Sequence, residues 1–248
     1  TKMLSSVIEA AVKAGNLDLA RRAADYLVSI SPPKGAPLAF WPPTYYFPKG
    51  YAGGGAAATG NEHRNMAVYP VSALSAYLDL YEATKEPKWR ELAKNLGDSF
   101  LSRRNRDGTW YLVYDIRTGE PLERNRLVAV HAERAYARLA AATGDARYRT
   151  VADELWQDML EGRLREWDWE GQFEDQEITP KYYNLTHVDV HAAIGGVLAR
   201  DDKGTARDLL RFVEDQFVCW QMPFYPHLKL WPQQWKWVDR DRMWHAPS

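Results

Sequence analysis

The stretch Ala142-Thr143-Gly144-Asp145, followed by Tyr148-Arg149-Thr150-Val151-Ala152-Asp153-Glu154-Leu155, decides the fold because the chain repeats it. An earlier copy runs from Ala83-Thr84-Lys85-Glu86-Pro87 into Trp89-Arg90-Glu91-Leu92-Ala93-Lys94-Asn95-Leu96. A further copy begins at Ala14-Gly15-Asn16, and a looser one begins at Ala199-Arg200-Asp201-Asp202. Each copy has the form of the turn and second helix of an antiparallel helix pair. A repeat of about 60 residues predicts hairpins stacked side by side, each burying its apolar face on its neighbours.

The predicted elements are four α-hairpins in one domain that spans residues 1–248. Their helix pairs are expected at 4–14 and 17–30, at 62–84 and 87–103, at 124–143 and 146–163, and at 184–199 and 203–218. Long loops rich in aromatic residues separate the hairpins. The alternating segment 110–115, followed by Thr118-Gly119, predicts a short β-hairpin. The predicted fold class is therefore all-α, with long aromatic loops and one small β element.

The two helices of each pair differ in polarity. First helices, such as 67–80 and 188–198, carry few charges, whereas second helices carry charged residues on one face. This asymmetry predicts a two-layer array with the first helices inside, either as an (α/α) toroid or as an open arc. A closed ring needs more hairpins than the four visible here. The sequence therefore favours an incomplete toroid, and a truncated chain is one explanation for it.

Composition excludes several classes of partner. The net charge of −1 gives no electrostatic case for nucleic acid or for an anionic membrane surface. No apolar run approaches the roughly 20 residues that span a bilayer. The one cysteine, Cys219, excludes an internal disulfide. The compartment stays open between a secreted or periplasmic and a cytoplasmic bacterial protein.

Aromatic content is high, with 11 Trp and 14 Tyr. Many of these residues lie outside the helical repeats, among them Trp41, Tyr45, Trp167 and Trp169. One interpretation is that they pack over the ends of the array. The other is that they stack on the apolar faces of sugar rings, which Trp and Tyr do at low entropic cost. These four residues are therefore predicted to bind substrate.

Polar residues cluster where each first helix begins. In a ring of hairpins these helix starts converge at one mouth, and helix N-termini favour anionic groups such as a uronate carboxylate. Four of the six histidines fall in these segments. The candidate residues of the three segments are Asn61, His63 and Arg64, then His131, Glu133 and Arg134, and then Tyr182, Tyr183, Asn184, His187 and Asp189.

Simpler roles compete with these functional ones. Asn61 and Asn184 have the residue type of helix N-caps. Arg64 and Arg134 would either pair with nearby acids or bind a carboxylate through both guanidinium nitrogens. Asp175 lies in an acidic, aromatic loop, either as part of a solvated turn or as a catalytic acid whose pKa is raised by neighbouring indoles.

Two histidines spaced four residues apart, His187 and His191, lie on one helical face. This spacing suits a metal site, but no further His or Cys pattern supports one. We therefore predict no metal and no cofactor. For His191 the favoured interpretation is a buried, hydrogen-bonded imidazole.

The hairpin segments 81–84 and 141–145 and the connecting loop 107–111 resemble the six-hairpin toroid superfamily of carbohydrate-active enzymes. That group includes polysaccharide lyases, unsaturated-uronide hydrolases, other glycoside hydrolases and acylglucosamine-type epimerases. The likeness covers most of the chain, but it is architectural. It implies a glycan substrate without choosing a reaction.

The resemblance also implies roles for particular residues. Toroid lyases use an Asn or Arg to neutralise a uronate, with His and Tyr for proton transfer, and two sets of residues match that pattern: Asn184, His187 and Tyr182 or Tyr183, and Asn61, His63 and Arg64. Toroid hydrolases use two carboxyls, for which Asp175, Asp189, Glu133 and Glu174 are available. Toroid epimerases use paired histidines, for which His131 and His187 are available.

The sequence therefore predicts an enzyme that acts on an acidic poly- or oligosaccharide. β-Elimination by a polysaccharide lyase is the favoured reaction. Glycoside hydrolysis by a carboxylate pair comes next, and sugar epimerisation follows. A non-catalytic glycan-binding or scaffold module is the alternative from another class. The expected partner is the saccharide, without nucleic acid or membrane, and either self-association or further hairpins would complete the array.

Overall fold

The computed structural model describes residues 2–45, 63–167, 169–171, 183–219, 231–232, 236–239 and 243–246. The helices, in chain order, are α1 (Lys2–Lys13), α2 (Leu17–Ser29), α3 (Val68–Thr84), α4 (Pro87–Leu101), α5 (Ala129–Thr143), α6 (Ala146–Glu161), the short α7 (Arg163–Glu166), α8 (His187–Leu198) and α9 (Lys203–Phe217). The pairs α1–α2, α3–α4, α5–α6 and α8–α9 are the four predicted hairpins. The all-α fold class is therefore confirmed.

The turn of each hairpin explains why the sequence repeats. Lys85, Gly144 and Asp201 all adopt the left-handed conformation just after a first helix, with φ of 59°, 72° and 59°. This conformation ends the helix, and the amide of the left-handed residue itself donates back to the last turn, as Lys85 N does to the carbonyl of Tyr81 at 2.7 Å. The turn is therefore the same local structure in several copies.

The repeated threonine has one role in both of its copies. Thr84 Oγ1 donates to the carbonyl of Leu80 at 2.7 Å, and Thr143 Oγ1 donates to the carbonyl of Leu139 at 2.7 Å. Each hydroxyl also accepts from a backbone amide of the turn that follows, at 3.2 Å and 3.3 Å. One side chain thus satisfies groups on both sides of the helix end.

A small two-stranded sheet joins the segment before α3 to the segment after α4. Strand β1 (Arg64–Met66) pairs antiparallel with β2 (Val113–Asp115), so that Arg64 lies opposite Asp115. The strand expected within 110–115 is confirmed, but its partner is a segment predicted to be helical. The chain that returns after β2 contributes isolated bridges, from Tyr114 to Pro121 and from Tyr111 to Arg126.

The helix predicted from residue 62 begins instead at Val68. Its first expected turn is extended because tertiary contacts engage its backbone. Met66 N donates to Thr44 Oγ1 at 2.8 Å, and the carbonyl of His63 accepts from Ile116 N at 2.9 Å. These long-range partners satisfy groups that a helix would satisfy locally.

Further strands follow in the second half of the chain. The strands β3 (Glu170–Gly171), β4 (Tyr183–Thr186), β7 (Lys236–Asp239) and β8 (Met243–Ala246) form one sheet in the order β3-β4-β8-β7. Strand β4 is parallel to β8, and the other pairs are antiparallel. A separate pair joins β5 (Val218–Cys219) to β6 (Trp231–Pro232). Residues 184–186 were predicted as helix and are strand, because pairing with β3 and β8 outweighs local preference.

The contacts divide the chain into two units. Unit 1 comprises Thr1–Leu127 with Ala132–Glu154, and unit 2 comprises Val128–His131 with Leu155–Ser248. Helices α5 and α6 each contribute residues to both units. The prediction of a single domain stays a prediction.

Unit 1 buries α3 on most of its sides, and α3 packs against α1, α2 and α4. Helix α4 buries one face, which includes Trp89, Gly97 and Phe100. Five aromatic rings lie here in a continuous row, with ring centroids 4.8–6.1 Å apart: Trp41, Phe100, Trp110, Tyr136 and Tyr148. The loop residue Trp41 thus covers the core formed by the helices.

Unit 2 has its own apolar core. Its buried members come from helices α5, α6, α8 and α9 and from the segment before β3, and they include Val130, Met159, Trp169, Val190, Ile194 and Leu209. None of the helices in the described residues combines the length and apolarity needed to cross a membrane.

Candidate functional site

A histidine and an aspartate meet in unit 2. His131 Nε2 lies 2.7 Å from Asp189 Oδ1. Their side chains are 14% and 7% exposed, so the contact is almost enclosed but the imidazole keeps some access to solvent. We refer to these two residues as the His–Asp pair.

The repeat places both members of the His–Asp pair. His131 is the third residue of α5 and Asp189 is the third residue of α8, and they are 58 residues apart. Val130, the residue before His131, and Val190, the residue after Asp189, are buried in the core of unit 2 and anchor the two helix starts. Strand β4 leads into α8 without an intervening loop, so the sheet fixes where α8 begins.

This geometry suits proton transfer. An ionised Asp189 accepts the hydrogen bond from Nε2–H, which leaves the lone pair on the Nδ1 atom of His131. An imidazole held in one tautomer by a carboxylate is a well-placed general base, and its protonated form is a general acid. The N-terminus of α8 also favours the negative charge of Asp189.

A second polar cluster lies in unit 1, around β1. Arg64 forms an ion pair with Glu123, whose side chain is 7% exposed, and Asn125 Nδ2 donates to the same carboxylate at 3.1 Å. Asn65, the residue after Arg64 in β1, is fully buried, and its Oδ1 accepts hydrogen bonds from Thr44 N at 3.1 Å and from Thr44 Oγ1 at 2.9 Å. These contacts connect β1 to the two loops beside it.

Asp115, opposite Arg64 in the ladder, is also paired. Its carboxylate accepts hydrogen bonds from the backbone N of Arg117 at 2.8 Å and from the guanidinium at 2.6 Å. The side-chain hydrogen bonds from Arg117 hold the pKa of Asp115 well below its ordinary value, and a charge on His63 lowers it further. Asp115 is therefore an ionised group that stabilises the turn after β2.

The structure describes the predicted residues of the fourth hairpin only in part. Tyr183 and Asn184 lie in β4, and His187 is the first residue of α8. Tyr182 lies outside the described residues. The same is true of three candidates from other segments: Asn61, Glu174 and Asp175. Of the predicted proton-transfer groups, the structure brings together His131 and Asp189.

Other predicted residues occupy varied environments. Glu133 is buried on α5 and Arg134 is exposed, and Arg134 forms no ion pair with any described residue. His63 is partly buried beside β1. These three remain predictions as site residues.

The predicted aromatic ligands differ in access. Trp41 and Trp169 are buried in the cores of units 1 and 2, so a sugar would reach their rings only after that packing opens. Tyr45 is partly buried. Trp167 is 38% exposed and has a left-handed backbone, with φ of 56°, at the end of α7. Trp167 is therefore the predicted aromatic residue with the most accessible ring.

His191 differs from its prediction, because it is exposed rather than buried. The buried positions of α8 include 190, 193, 194 and 197, a helical stripe that leaves position 191 outside it. In the described part of the chain, no group of three or more His, Cys, Asp or Glu side chains could hold a metal ion.

Sequence reasoning missed two features of these clusters. The pairing of His131 with Asp189 was not predicted, although their separation of one repeat is a signal that could have found it. Glu123 was also missed as the partner of Arg64, 59 residues away. Nothing in the local sequence indicates that pair, because it depends on how the loop before α5 returns to β1.

Comparisons with known proteins give one partial family match. A family model described as the catalytic domain of β-L-arabinofuranosidase, GH127, matches residues 57–164, which is less than half of the chain. A search of curated proteins finds no significant match.

Solved structures match over most of the chain at low sequence identity. A family 76 glycoside hydrolase (mannosidase) from Bacteroides thetaiotaomicron is 12% identical, with a TM-score of 0.56 over 87% of this chain and 58% of that one. An unsaturated glucuronyl hydrolase from Bacillus sp. GL1 is 15% identical, with a TM-score of 0.58 over 92% and 66%. A cellobiose 2-epimerase from Spirochaeta thermophila is 13% identical, with a TM-score of 0.58 over 86% and 58%.

These similarities confirm the fold expected from the resemblance. The chain has the fold of the (α/α)-toroid carbohydrate-active enzymes. It spans 58–66% of the length of these three structures.

Proposed function

We propose that this chain acts on a carbohydrate by hydrolysing a glycosidic bond, and that the His–Asp pair moves a proton in the reaction. The observation that carries the proposal is the 2.7 Å contact between His131 and Asp189, held by two helix starts that are one repeat apart. The partial match to a glycoside hydrolase family supports a hydrolase. Two of the three structural neighbours described above are named as glycoside or glucuronyl hydrolases, which agrees with the same choice.

The chemistry follows from the tautomer that Asp189 selects. Glycoside hydrolysis needs one group that protonates the leaving oxygen and another that activates water or attacks the sugar. Neutral His131 takes a proton at Nδ1 from the attacking water while a separate acid protonates the leaving oxygen, and the imidazolium then returns its proton to solvent. Asp189 stabilises the imidazolium without becoming protonated itself. For the acid that protonates the leaving oxygen, the candidate is Asp175, which was predicted from the sequence and lies outside the described residues.

The second candidate is β-elimination at a uronate, which the sequence favours. The observation in its favour is that His131 with a fixed tautomer is a suitable base for a proton next to a neutralised carboxylate. In this reaction Asn184 would neutralise the uronate, with Tyr182, Tyr183 and His187 in the proton-transfer roles predicted from sequence. The substrate would then be an acidic poly- or oligosaccharide.

The test measures bond cleavage in two ways over a panel of glycans. Arabinofuranoside, mannan and uronate-containing oligosaccharides are incubated with the protein, and new reducing ends and ultraviolet absorbance are recorded in parallel. His131→Asn and Asp189→Asn are each expected to lower the rate by at least about 100-fold, which is typical for loss of a general acid or base. His191→Asn is the matched control, because it changes an exposed histidine of α8 outside the pair.

The outcomes separate the candidates. Reducing ends without absorbance support hydrolysis, whereas growing absorbance moves the assignment to elimination. Solvent deuterium entering a sugar without cleavage would replace both with epimerisation. Full activity in folded His131→Asn and Asp189→Asn, with folding checked by circular dichroism, would show that the pair is only structural.

A further inference from the structure

The segment between α4 and α5, residues 103–127, is rich in arginine. It carries six arginines and four acidic residues, and all of it belongs to unit 1. We call this segment the arginine arch. None of the roles proposed above uses the exposed arginines of this segment.

Three of the six arginines hold the arch together. Arg103 donates to the carbonyl of Gly119 at 3.1 Å and also contacts the carbonyl of Pro37. Arg104 donates to the carbonyl of Gly108 at 2.7 Å and forms an ion pair with Glu154. Arg117 is the partner of Asp115 described above. These contacts fix the backbone of the arch.

The other three arginines, Arg106, Arg124 and Arg126, are exposed. Arg106 and Arg124 form no ion pair within the described part of the chain. Arg126 reaches Asp107 at 3.4 Å, and its guanidinium carbon lies 3.8 Å from the centre of the Tyr111 ring. The remaining acids of the arch are engaged elsewhere, except for the exposed Glu120.

Two backbone hydrogen bonds hold the segment that carries Arg124 and Arg126 against residues 112 and 113. Leu112 N donates to the carbonyl of Asn125 at 2.8 Å, and Leu122 N donates to the carbonyl of Val113 at 3.0 Å. Arg124 and Arg126 are both exposed, whereas Glu123 pairs with Arg64 and Asn125, the residue between the two arginines, donates to Glu123.

A tight turn brings the third arginine near. Asn105 N donates to the carbonyl of Thr109 at 2.7 Å, and the turn between them contains both Arg106 and Asp107. Because Asp107 contacts Arg126, the turn that carries Arg106 lies beside Arg126. We call Arg106, Arg124 and Arg126 together the arginine edge.

The arginine edge fits a ligand with repeated negative charge. A guanidinium binds a carboxylate or sulfate through two parallel hydrogen bonds. Stacking on Tyr111 restricts Arg126 in advance, so less entropy is lost when it binds. The three guanidinium groups of the edge have only one contact with an acid of the described residues, and that contact is long. Their positive charge therefore attracts an anionic ligand but gives a neutral sugar no electrostatic gain.

We propose that the arginine edge binds a carboxylated or sulfated glycan chain and so favours anionic substrates. This inference rests on the proposed function for the choice of a glycan, and it adds the charge class of that glycan and a site for it in unit 1. Nucleic acid is the competing polyanion, and the test includes it.

The experiment measures binding rather than turnover. Affinity for polygalacturonate, for neutral mannan and for duplex DNA is measured by calorimetry in the His131→Asn protein, at low and at physiological ionic strength. We expect polygalacturonate to bind more tightly than mannan or DNA, with an affinity that falls as salt is added. Arg124→Gln combined with Arg126→Gln should weaken polygalacturonate binding at least about tenfold, which corresponds to about 1.4 kcal/mol, because two charge-assisted contacts are lost.

A charge-matched variant serves as control. Arg22→Gln combined with Arg149→Gln removes the same charge from exposed positions of α2 and α6, where neither arginine pairs with a described residue. It should change the affinity by less than about twofold, because neither arginine belongs to the arginine edge and salt screens exposed charges that make no direct contact with the ligand. Both double variants change exposed side chains, so their thermal midpoints should match that of the parent protein.

Several results would overturn the inference. Equal losses in the two double variants would mean that only net charge matters, and tighter binding of DNA would make the edge a nucleic-acid surface. Equal binding of mannan and polygalacturonate would show that the arginine edge does not select anionic glycans over neutral ones. Failure of the proposed function gives a different pattern: polygalacturonate binds through the edge, but the unmodified protein cleaves no glycan.

Discussion

Single residues in this chain take their roles from partners one repeat away. His131 and Asp189 are ordinary residues within their own segments, and they become a candidate acid–base pair because two equivalent helix starts meet. Arg64 and Glu123 are likewise separated by almost one repeat. At this scale the long-range contact, rather than the residue type, determines the role of each side chain.

Asp115 gives a prediction about pH. The Arg117 hydrogen bonds lower the pKa of Asp115 in the folded protein, so the ionised carboxylate stabilises the fold at all pH values above its ordinary pKa of about 4. Replacing Asp115 by Asn should lower the free energy of unfolding by about 1–2 kcal/mol near neutral pH. The difference from the unchanged protein should shrink as the pH falls below about 4, where the unfolded state takes up the proton.

Urea unfolding at neutral and acidic pH measures this effect. Asp153→Asn is the control, because Asp153 is exposed and forms no side-chain hydrogen bond or ion pair with a described residue. A difference for Asp115→Asn that is equally large at both pH values would contradict the assigned cause.

At the scale of elements, the repeated turn is a unit of structure. Thr84 and Thr143 make the same pair of hydrogen bonds at the ends of α3 and α5. The sequence repeat therefore preserves a backbone geometry as well as an apolar pattern. Helix spacing is set in a different way, by side-chain size at the points of closest approach.

The repeated turn predicts equal effects of equal substitutions. Thr84→Val and Thr143→Val keep the side-chain shape and remove the hydroxyl, so each should cost about 1 kcal/mol of unfolding free energy. Thr150→Val should cost less, because its hydroxyl makes one longer bond of 3.2 Å on the exposed face of α6. Thermal denaturation of the three variants tests this, and unequal effects at the two turns would count against their equivalence.

Substitution of Gly97 by Ala should change the stability in the opposite direction to that expected from helix propensity. A Cβ at Gly97 would lie 2.4 Å from Cδ2 of the buried Leu139, where α4 approaches α5, and Tyr136 Oη donates to the Gly97 carbonyl at 2.9 Å. Gly97→Ala should therefore destabilise the protein by about 1–2 kcal/mol despite the gain in propensity. Gly204→Ala in α9 has its nearest neighbour at 3.5 Å and should instead stabilise by up to about 1 kcal/mol. Chemical denaturation compares them, and a stabilising Gly97→Ala would show that Leu139 yields without cost.

At the scale of the whole molecule, two units share two helices. Each unit has its own apolar core, but α5 and α6 supply residues to both. Neither core can lose all of its structure while these helices stay intact.

The shared helices predict cooperative unfolding. Far-ultraviolet circular dichroism and tryptophan fluorescence should give coincident urea transitions, because tryptophans lie in both cores. The most protected amides of α3 and α8 should also exchange with similar free energies. Separate midpoints, or protection in α3 that persists after α8 has exchanged, would show that the units unfold independently.

The sequence by itself determined the hairpin array. Its helices, its turns and its apolar first helices follow from contacts between residues a few positions apart, which periodicity and turn chemistry record directly. It also identified His131 and Asp189 as candidates, because both occupy equivalent helix starts.

Tertiary structure alone decided the rest. Residues 64–66 and 184–186 are strands because distant segments satisfy their backbone groups, and no local pattern encodes such partners. The burial of Trp41 and Trp169, the exposure of His191 and the pairing of Arg64 with Glu123 were decided in the same way. Each depends on which surfaces meet when the hairpins and loops pack, and that information is spread over segments far apart in the chain.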